Sequence, residues 1–155
     1  MTCTNDLYRQ VGPDIEAIGD LLFSFSEQCI RNKGNSLPHA AVLTREGKVE
    51  LVATDPGSKE GHANSSQELS LLHKGLRRQA TIKSLKAIGI AENVTITPDG
   101  QPTTHAIKVL IEHECGLTIA LYLLLSKRLF QDYLFGEIFS VPAIPEVRIW
   151  SQSAV

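Results

Sequence analysis

The chain has 155 residues and a mass of 17.0 kDa, with 43% hydrophobic and 21% charged residues. These values lie near the globular average and exclude a disordered, collagen-like or disulfide-dense chain. A net charge of −2 disfavours a nucleic-acid-binding protein, because such affinity comes mainly from neutralised phosphates. We expect a single domain over residues 1–150 and a frayed tail over 151–155.

The cysteines and the N-terminal residues indicate a cytoplasmic protein. Cys3, Cys29 and Cys115 form no CxxC pattern, so the sequence predicts neither a zinc site nor a redox pair. The N-terminal residues lack the basic start and apolar run of a signal peptide. The longest apolar-rich stretch, Leu117–Leu125, is far shorter than the roughly 20 residues that span a bilayer. We therefore expect no membrane association, no metal and no cofactor.

Apolar residues at helical spacing predict two main helices. The first begins at Gly12-Pro13, since proline is favourable at the first helical position, and ends at Lys33-Gly34. Leu7, Tyr8 and Val11 add at most a short turn ahead of it. The second helix begins with a capping box from Ser65 to Glu68 and runs to Gly89.

The strands follow turn signals and two-residue alternation. Pro38–Leu43 and Lys48–Ala53 flank Thr44–Gly47, which predicts a hairpin. A polar loop follows over 54–65. Beyond the second helix, Val94 and Ile96 begin a meander whose next strands are His105–His113 and the apolar Leu117–Leu125.

The last thirty residues carry weaker signals. Lys127–Phe139 is typical of a short helix laid on the sheet, and Val147–Trp150 of an edge strand. The whole predicts an α+β fold of order α-β-β-α-β-β-β with a possible short C-terminal helix. Its antiparallel sheet has about five strands with two helices packed on it.

This element order resembles the roadblock and profilin-like α/β layer folds. The resemblance implies one antiparallel sheet with helices packed on it, and no activity, because fold alone does not determine function. Pro38–Val42, His105–Val109 and Glu112–Gly116 resemble segments of uncharacterised small bacterial proteins. That resemblance implies a bacterial cytosolic protein of unknown function.

The positive charge is concentrated in one segment. Residues 74–91 hold five basic and no acidic residues: Lys74, Arg77, Arg78, Lys83 and Lys86. Lys74, Arg77 and Arg78 lie within about one helical turn and are the candidate anion-binding residues. The alternative is a solvated helix face with favourable charges near its C-terminus.

Catalytic motifs are missing from the sequence, so we expect a protein without enzymatic activity. The enzyme hypothesis that stays open uses His113 with Glu112 or Glu114, although strand alternation points His113 away from both glutamates. His39 follows Pro38 at a strand start, where a structural role bonded to backbone is the more economical interpretation.

Apolar residues exceed what one face of a small sheet needs. The candidate interface residues are Phe130, Tyr133, Leu134 and Phe135. We therefore expect a non-catalytic interaction domain that forms a homodimer, with an unidentified protein partner also possible. A further alternative is a dimer similar to small acidic secretion chaperones. That family places three strands between its first two helices, whereas this sequence predicts two.

Overall fold

The structure is a computed structural model that describes residues 4–33, 38–52, 65–97, 100, 103–127 and 133–150. Within them lie two helices, α1 (Thr4–Lys33) and α2 (Ser65–Ile82). The strands are β1 (His39–Thr44), β2 (Val49–Val52), β3 (Leu85–Ile96), β4 (Thr104–His113), β5 (Thr118–Lys127) and β6 (Tyr133–Pro142). They form one antiparallel sheet in the order β2-β1-β3-β4-β5-β6. The α+β class is confirmed, with six described strands rather than five.

The two helices cover opposite faces of the sheet, because successive side chains of a strand point to opposite sides. On one face, Ile15, Ile18 and Leu22 of α1 join a buried cluster that includes Val109 and Leu121. On the other face, α2 contributes Leu72 and Leu76 to a cluster with residues of β1 and β3. Helix α2 lies over β1–β3, so β5 and β6 extend beyond it.

The helix α1 begins well before the predicted start at Pro13, so that prediction is wrong. Val11 is buried on the same face as Ile15 and Ile18, which gives the residues ahead of Pro13 an apolar contact that favours helix. Pro13 itself is exposed, so the carbonyl of Arg9 that it cannot bond lies on the solvent side.

The helix α2 ends at Ile82, so the predicted continuation to Gly89 is also wrong. Leu85 and Ile88 belong to β3, and both lie in the cluster under α2. Thr44 pairs with Leu85 and Leu43 with Ala87, which leaves Lys86 as an extra residue in a β-bulge. The bulge spaces Leu85 and Ile88 three apart on one face, which imitates a helical pattern.

The C-terminal predictions also need correction. Over 133–139, where a short helix was expected, the chain forms β6, which pairs with β5. A short apolar run fits both the helical period of about 3.6 residues and the strand period of two. Here strand β5 supplies hydrogen-bond partners for the backbone, so the run forms a strand. Val147–Trp150 forms bends rather than an edge strand. The predicted loop before Ser65, Phe130 and the tail over 151–155 lie outside the described residues.

The hairpin and the central meander are confirmed. β1 and β2 flank a turn at which Gly47 has φ of 92°, and β4 and β5 flank a second turn with Gly116 at 102°. Both values favour glycine, because a Cβ atom is strained there. The apolar stretch Leu117–Leu125 is largely strand β5, and its alternate residues reach the α1-side cluster.

Candidate functional site

The outer edge of β6 is the most unusual surface of the described chain. β6 pairs with β5, and no described strand pairs with its other edge. Ile138, Phe139 and Val141 are 52%, 39% and 38% exposed. The ten residues of β6 contain one charged residue, Glu137. Soluble proteins usually shorten or charge such an edge, because its unpaired N–H and C=O groups accept another strand.

The opposite edge of the sheet differs in both respects. Strand β2 has four residues, and Lys83 forms an ion pair with Glu50 on it. This hydrogen bond from the Lys83 ammonium lowers the pKa of the Glu50 carboxyl. Leu51, at 38% exposure, is the most exposed residue of β2. The β2 edge is thus short and charged, whereas the β6 edge is long and apolar.

The predicted interface residues lie partly on this strand. The backbones of Tyr133, Leu134 and Phe135 belong to β6 and pair with Lys127, Ser126 and Leu125. The apolar exposure that the structure shows is further along β6. Phe139 stacks on Tyr122 with ring centroids 5.2 Å apart and an interplanar angle of 17°. Ile138 and Phe139 belong to the same surplus of apolar residues that predicts an interface, although the four candidate interface residues do not include them.

Residues 143–150, here called the strap, cross the α2-side face after β6 ends. Val147 is 1% exposed and belongs to the buried cluster of α2 and the sheet. The buried Glu112 carboxylate of β4 accepts N–H bonds from three successive strap residues: Glu146 at 2.8 Å, Val147 at 2.8 Å and Arg148 at 2.9 Å. The Arg77 guanidinium donates to the Val147 carbonyl at 3.2 Å.

A groove of about 630 Å³ lies beside the strap. Its lining includes the apolar residues Leu110, Ala120 and Tyr122 and the charged residues Lys108, Glu146 and Arg148. This groove, here called the side groove, is therefore amphipathic.

The charges of the side groove are coupled through Lys108. The Lys108 ammonium lies 3.4 Å from Glu146 and 3.9 Å from Glu92. Burial raises the pKa of Glu92; Lys108 opposes the effect and Glu146 adds to it. The His73 Nε2 atom is buried without a hydrogen bond and lies 3.9 Å from Glu146. No single sign of charge dominates, so the groove does not specify a ligand.

The basic residues of 74–91 do not form one face. Lys83 and Lys86 lie beyond the end of α2, and the Lys86 ammonium is 3.4 Å from Asp14 of α1, on the other side of the sheet. Lys74, Arg77 and Arg78 are exposed on α2, and Arg77 also binds the strap. None of these three lines the side groove. Their anion-binding role stays a prediction.

His113 and the neighbouring glutamates contact different partners. His113 Nδ1 accepts the Cys115 N–H at 3.1 Å, so the ring proton is on Nε2, which donates to Asp14 at 2.8 Å. Glu112 points to the strap, and Glu114 pairs with Arg45 at 2.5 Å. Both His113 nitrogens are thus occupied, and neither glutamate contacts the ring in the arrangement that the enzyme hypothesis needs.

His39 lies inside the core. It is 2% exposed, its ring lies 4.6 Å from that of Phe25, and its Nε2 is 3.1 Å from the Ser26 hydroxyl and 3.4 Å from the Leu22 carbonyl. Ser26 is itself 1% exposed, so this serine–histidine pair has no access for a substrate. In the described parts of the chain, no group of three or more His, Cys, Asp or Glu side chains is placed to hold a metal ion.

The strap contacts were missed from sequence. Pro142 directly precedes the strap and Pro145 lies within it, and both indicate irregular backbone. The apolar residues Val147, Ile149 and Trp150 indicate burial. The partner, Glu112, has no sequence signal, because the groups it binds are backbone N–H donors that every residue except proline carries.

Comparison with known proteins adds no assignment: the chain matches no protein-family model, no curated protein and no solved structure. Among the described helices, neither has the length and apolar composition needed to cross a bilayer.

Proposed function

We propose that this protein is a non-catalytic, intracellular interaction domain that forms a homodimer by antiparallel pairing of two β6 strands. The observation that carries the proposal is the long apolar edge of β6, where Ile138, Phe139 and Val141 are exposed beside backbone with which no described strand pairs. The other edge of the sheet offers a much shorter strand.

A second copy is the occupant that fits this edge best. An antiparallel pair of identical strands has two-fold symmetry, so each copy offers the other the same N–H and C=O groups. The pairing joins two six-stranded sheets into one continuous sheet. Ile144, 75% exposed just beyond β6, adds apolar surface close to the same edge.

The expected affinity is moderate. A stable interface buries about 800 Å² on each partner, and pairing along one strand supplies less than a broad face-to-face contact. We therefore expect a dimer that forms in the micromolar range and dissociates on dilution.

The test is a concentration series by sedimentation velocity or light scattering on three proteins. Ile138→Lys places a charge in the middle of β6, and Leu51→Lys is the matched control, because it introduces the same residue on the β2 edge. We expect the wild type and Leu51→Lys to approach twice 17.0 kDa at high concentration, while Ile138→Lys stays monomeric.

Circular dichroism confirms that each variant is folded. The dimer is expected to form in the micromolar range. A wild type that stays at 17.0 kDa up to roughly several hundred micromolar therefore contradicts the proposal. So does a dimer that Leu51→Lys dissociates and Ile138→Lys does not.

A further inference from the structure

The strap is bound to the domain in the way a short peptide ligand is bound. It has no regular secondary structure. It is held by the buried side chain of Val147, by Ile149 and Trp150, which pack partly buried against the same cluster, and by hydrogen bonds to its backbone. Glu146 and Arg148, on either side, are exposed. The binding therefore depends on the backbone path around Val147 and on the apolar residues that follow it, and Glu146 adds an ion pair with Lys108.

The receiving cleft, here called the anchor cleft, is bounded by Leu72 and Leu76 of α2, Ile88 of β3 and Glu112 of β4. Glu112 is 3% exposed, and a carboxylate with so little water needs the three N–H donors that it receives. Arg77 adds a donor to the carbonyl of the anchor residue. The cleft thus binds the N–H group, the carbonyl and the side chain of Val147.

The backbone of the strap is strained where it is held. Arg148 has φ of 63°, a conformation that is uncommon for residues other than glycine, and its N–H is the third donor to Glu112. The strap therefore retains a conformational cost while it is bound. A segment of the same pattern that meets the cleft with less strain competes with it.

We propose that the anchor cleft is a peptide-binding site whose occupant in this structure is the chain's own strap. Its partner is a segment that turns around a β-branched apolar residue held in the cleft, so that three successive N–H groups converge on Glu112. This inference does not depend on the β6 dimer, because the anchor cleft lies between α2 and the face of the sheet and not at the β6 edge.

The experiment uses the full chain and a fluorescent peptide with the sequence of residues 145–150, Pro-Glu-Val-Arg-Ile-Trp. In the wild type the strap competes at an effective concentration near the millimolar range, so the peptide binds weakly. Val147→Asp expels the strap, because a carboxylate cannot be buried beside Glu112. We expect fluorescence anisotropy to show at least about tenfold tighter binding to Val147→Asp than to the wild type.

Two controls make the result specific. A peptide with Asp in place of Val should bind neither protein. Adding Glu112→Gln to Val147→Asp should weaken peptide binding at least about tenfold, because the neutral amide oxygen accepts fewer and weaker N–H bonds. Equal binding to the wild type and Val147→Asp, or binding unaffected by Glu112→Gln, overturns the proposal.

A measurement on the wild type decides the matter if Val147→Asp does not fold. Trypsin cuts after Arg148 only when the strap leaves the cleft. The peptides for this assay carry the change Arg148→Gln, because trypsin would otherwise cut the peptide itself. At millimolar concentration such a peptide should accelerate the cut of the protein severalfold, and its Asp-containing counterpart should not. Unchanged cleavage with saturating peptide overturns the proposal, whatever the oligomeric state of the protein.

Discussion

Gly89 allows α1 to lie close against the centre of the sheet. A Cβ atom on this residue would lie 2.4 Å from Ile18 Cγ2 and 2.9 Å from Leu22 Cδ1. Both neighbours are fully buried, so neither side chain can swing away into solvent. Ala87 and Ala91 lie on the same side of β3, so small residues form the surface on which α1 packs.

We expect Gly89→Ala to lower the free energy of unfolding by about 1–3 kcal/mol, as overpacked cores do. The matched control is Gly75→Ala in α2, where an added Cβ meets nothing within 4 Å. That change should raise the free energy of unfolding by up to about 1 kcal/mol, because alanine is the better helix former. Urea unfolding of both variants checks the pair. Equal effects contradict the close packing of α1.

A pH dependence follows from Glu92. Its pKa is raised in the folded protein, so between the ordinary value of 4.5 and the raised value the folded chain holds more protons than the unfolded chain. This residue's contribution to stability therefore falls as pH rises through that interval and stays reduced above it. Glu92→Gln removes the dependence.

We expect the stability of Glu92→Gln relative to the wild type to be greater at pH 7 than at pH 4. Urea unfolding at the two pH values measures it. The matched control, Glu50→Gln, should change in the opposite direction, because the pKa of Glu50 is lowered. A relative stability of Glu92→Gln that does not increase with pH would show that the carboxylate is not desolvated.

At the scale of elements, strands with a regular alternation of apolar residues were predicted correctly, whereas segments with irregular backbone were predicted wrongly. Strand β4 was predicted nearly to the residue because its alternate positions Ile107, Val109 and Ile111 are all apolar, which fits a period of two. The boundary between α2 and β3 was misplaced because the bulge at Lys86 shifts the alternation by one. Over 133–139 the apolar residues fit a helix and a strand equally well. The pairing with β5 decides for a strand, and this pairing is not visible in the local sequence.

The start of α1 gives a test that separates the predicted helix from the observed one. If the helix begins at Pro13, proline occupies a favourable first position and Pro13→Ala is neutral or slightly destabilising. In the structure Pro13 lies inside the helix, where it removes one hydrogen bond. We therefore expect Pro13→Ala to raise the free energy of unfolding by roughly 1–3 kcal/mol. Thermal and urea unfolding measure it, and a decrease contradicts a helix that starts at Thr4.

At the scale of the molecule, the sequence predicts surplus apolar surface at residues 130–135, and the structure shows exposed apolar side chains further along the chain, at Ile138, Phe139 and Val141. The sequence did not predict which residues of β6 are exposed, because exposure depends on the coverage of each face by distant elements. Nor did it predict the strap, whose bonds to Glu112 join residues 34 to 36 positions apart. Such contacts depend on the sheet order, which local patterns do not specify.

The sheet order leads to a last prediction about where a dimer would protect the backbone. In a strand, N–H groups alternate in direction, so about half of those in β6 point away from β5 and exchange freely in a monomer. Pairing with a second β6 strand protects them. Hydrogen exchange over residues 133–142 should slow as protein concentration rises, while exchange over β2, Val49–Val52, stays constant. Protection that appears on β2 instead, or that is equal at all concentrations, would place the contact elsewhere.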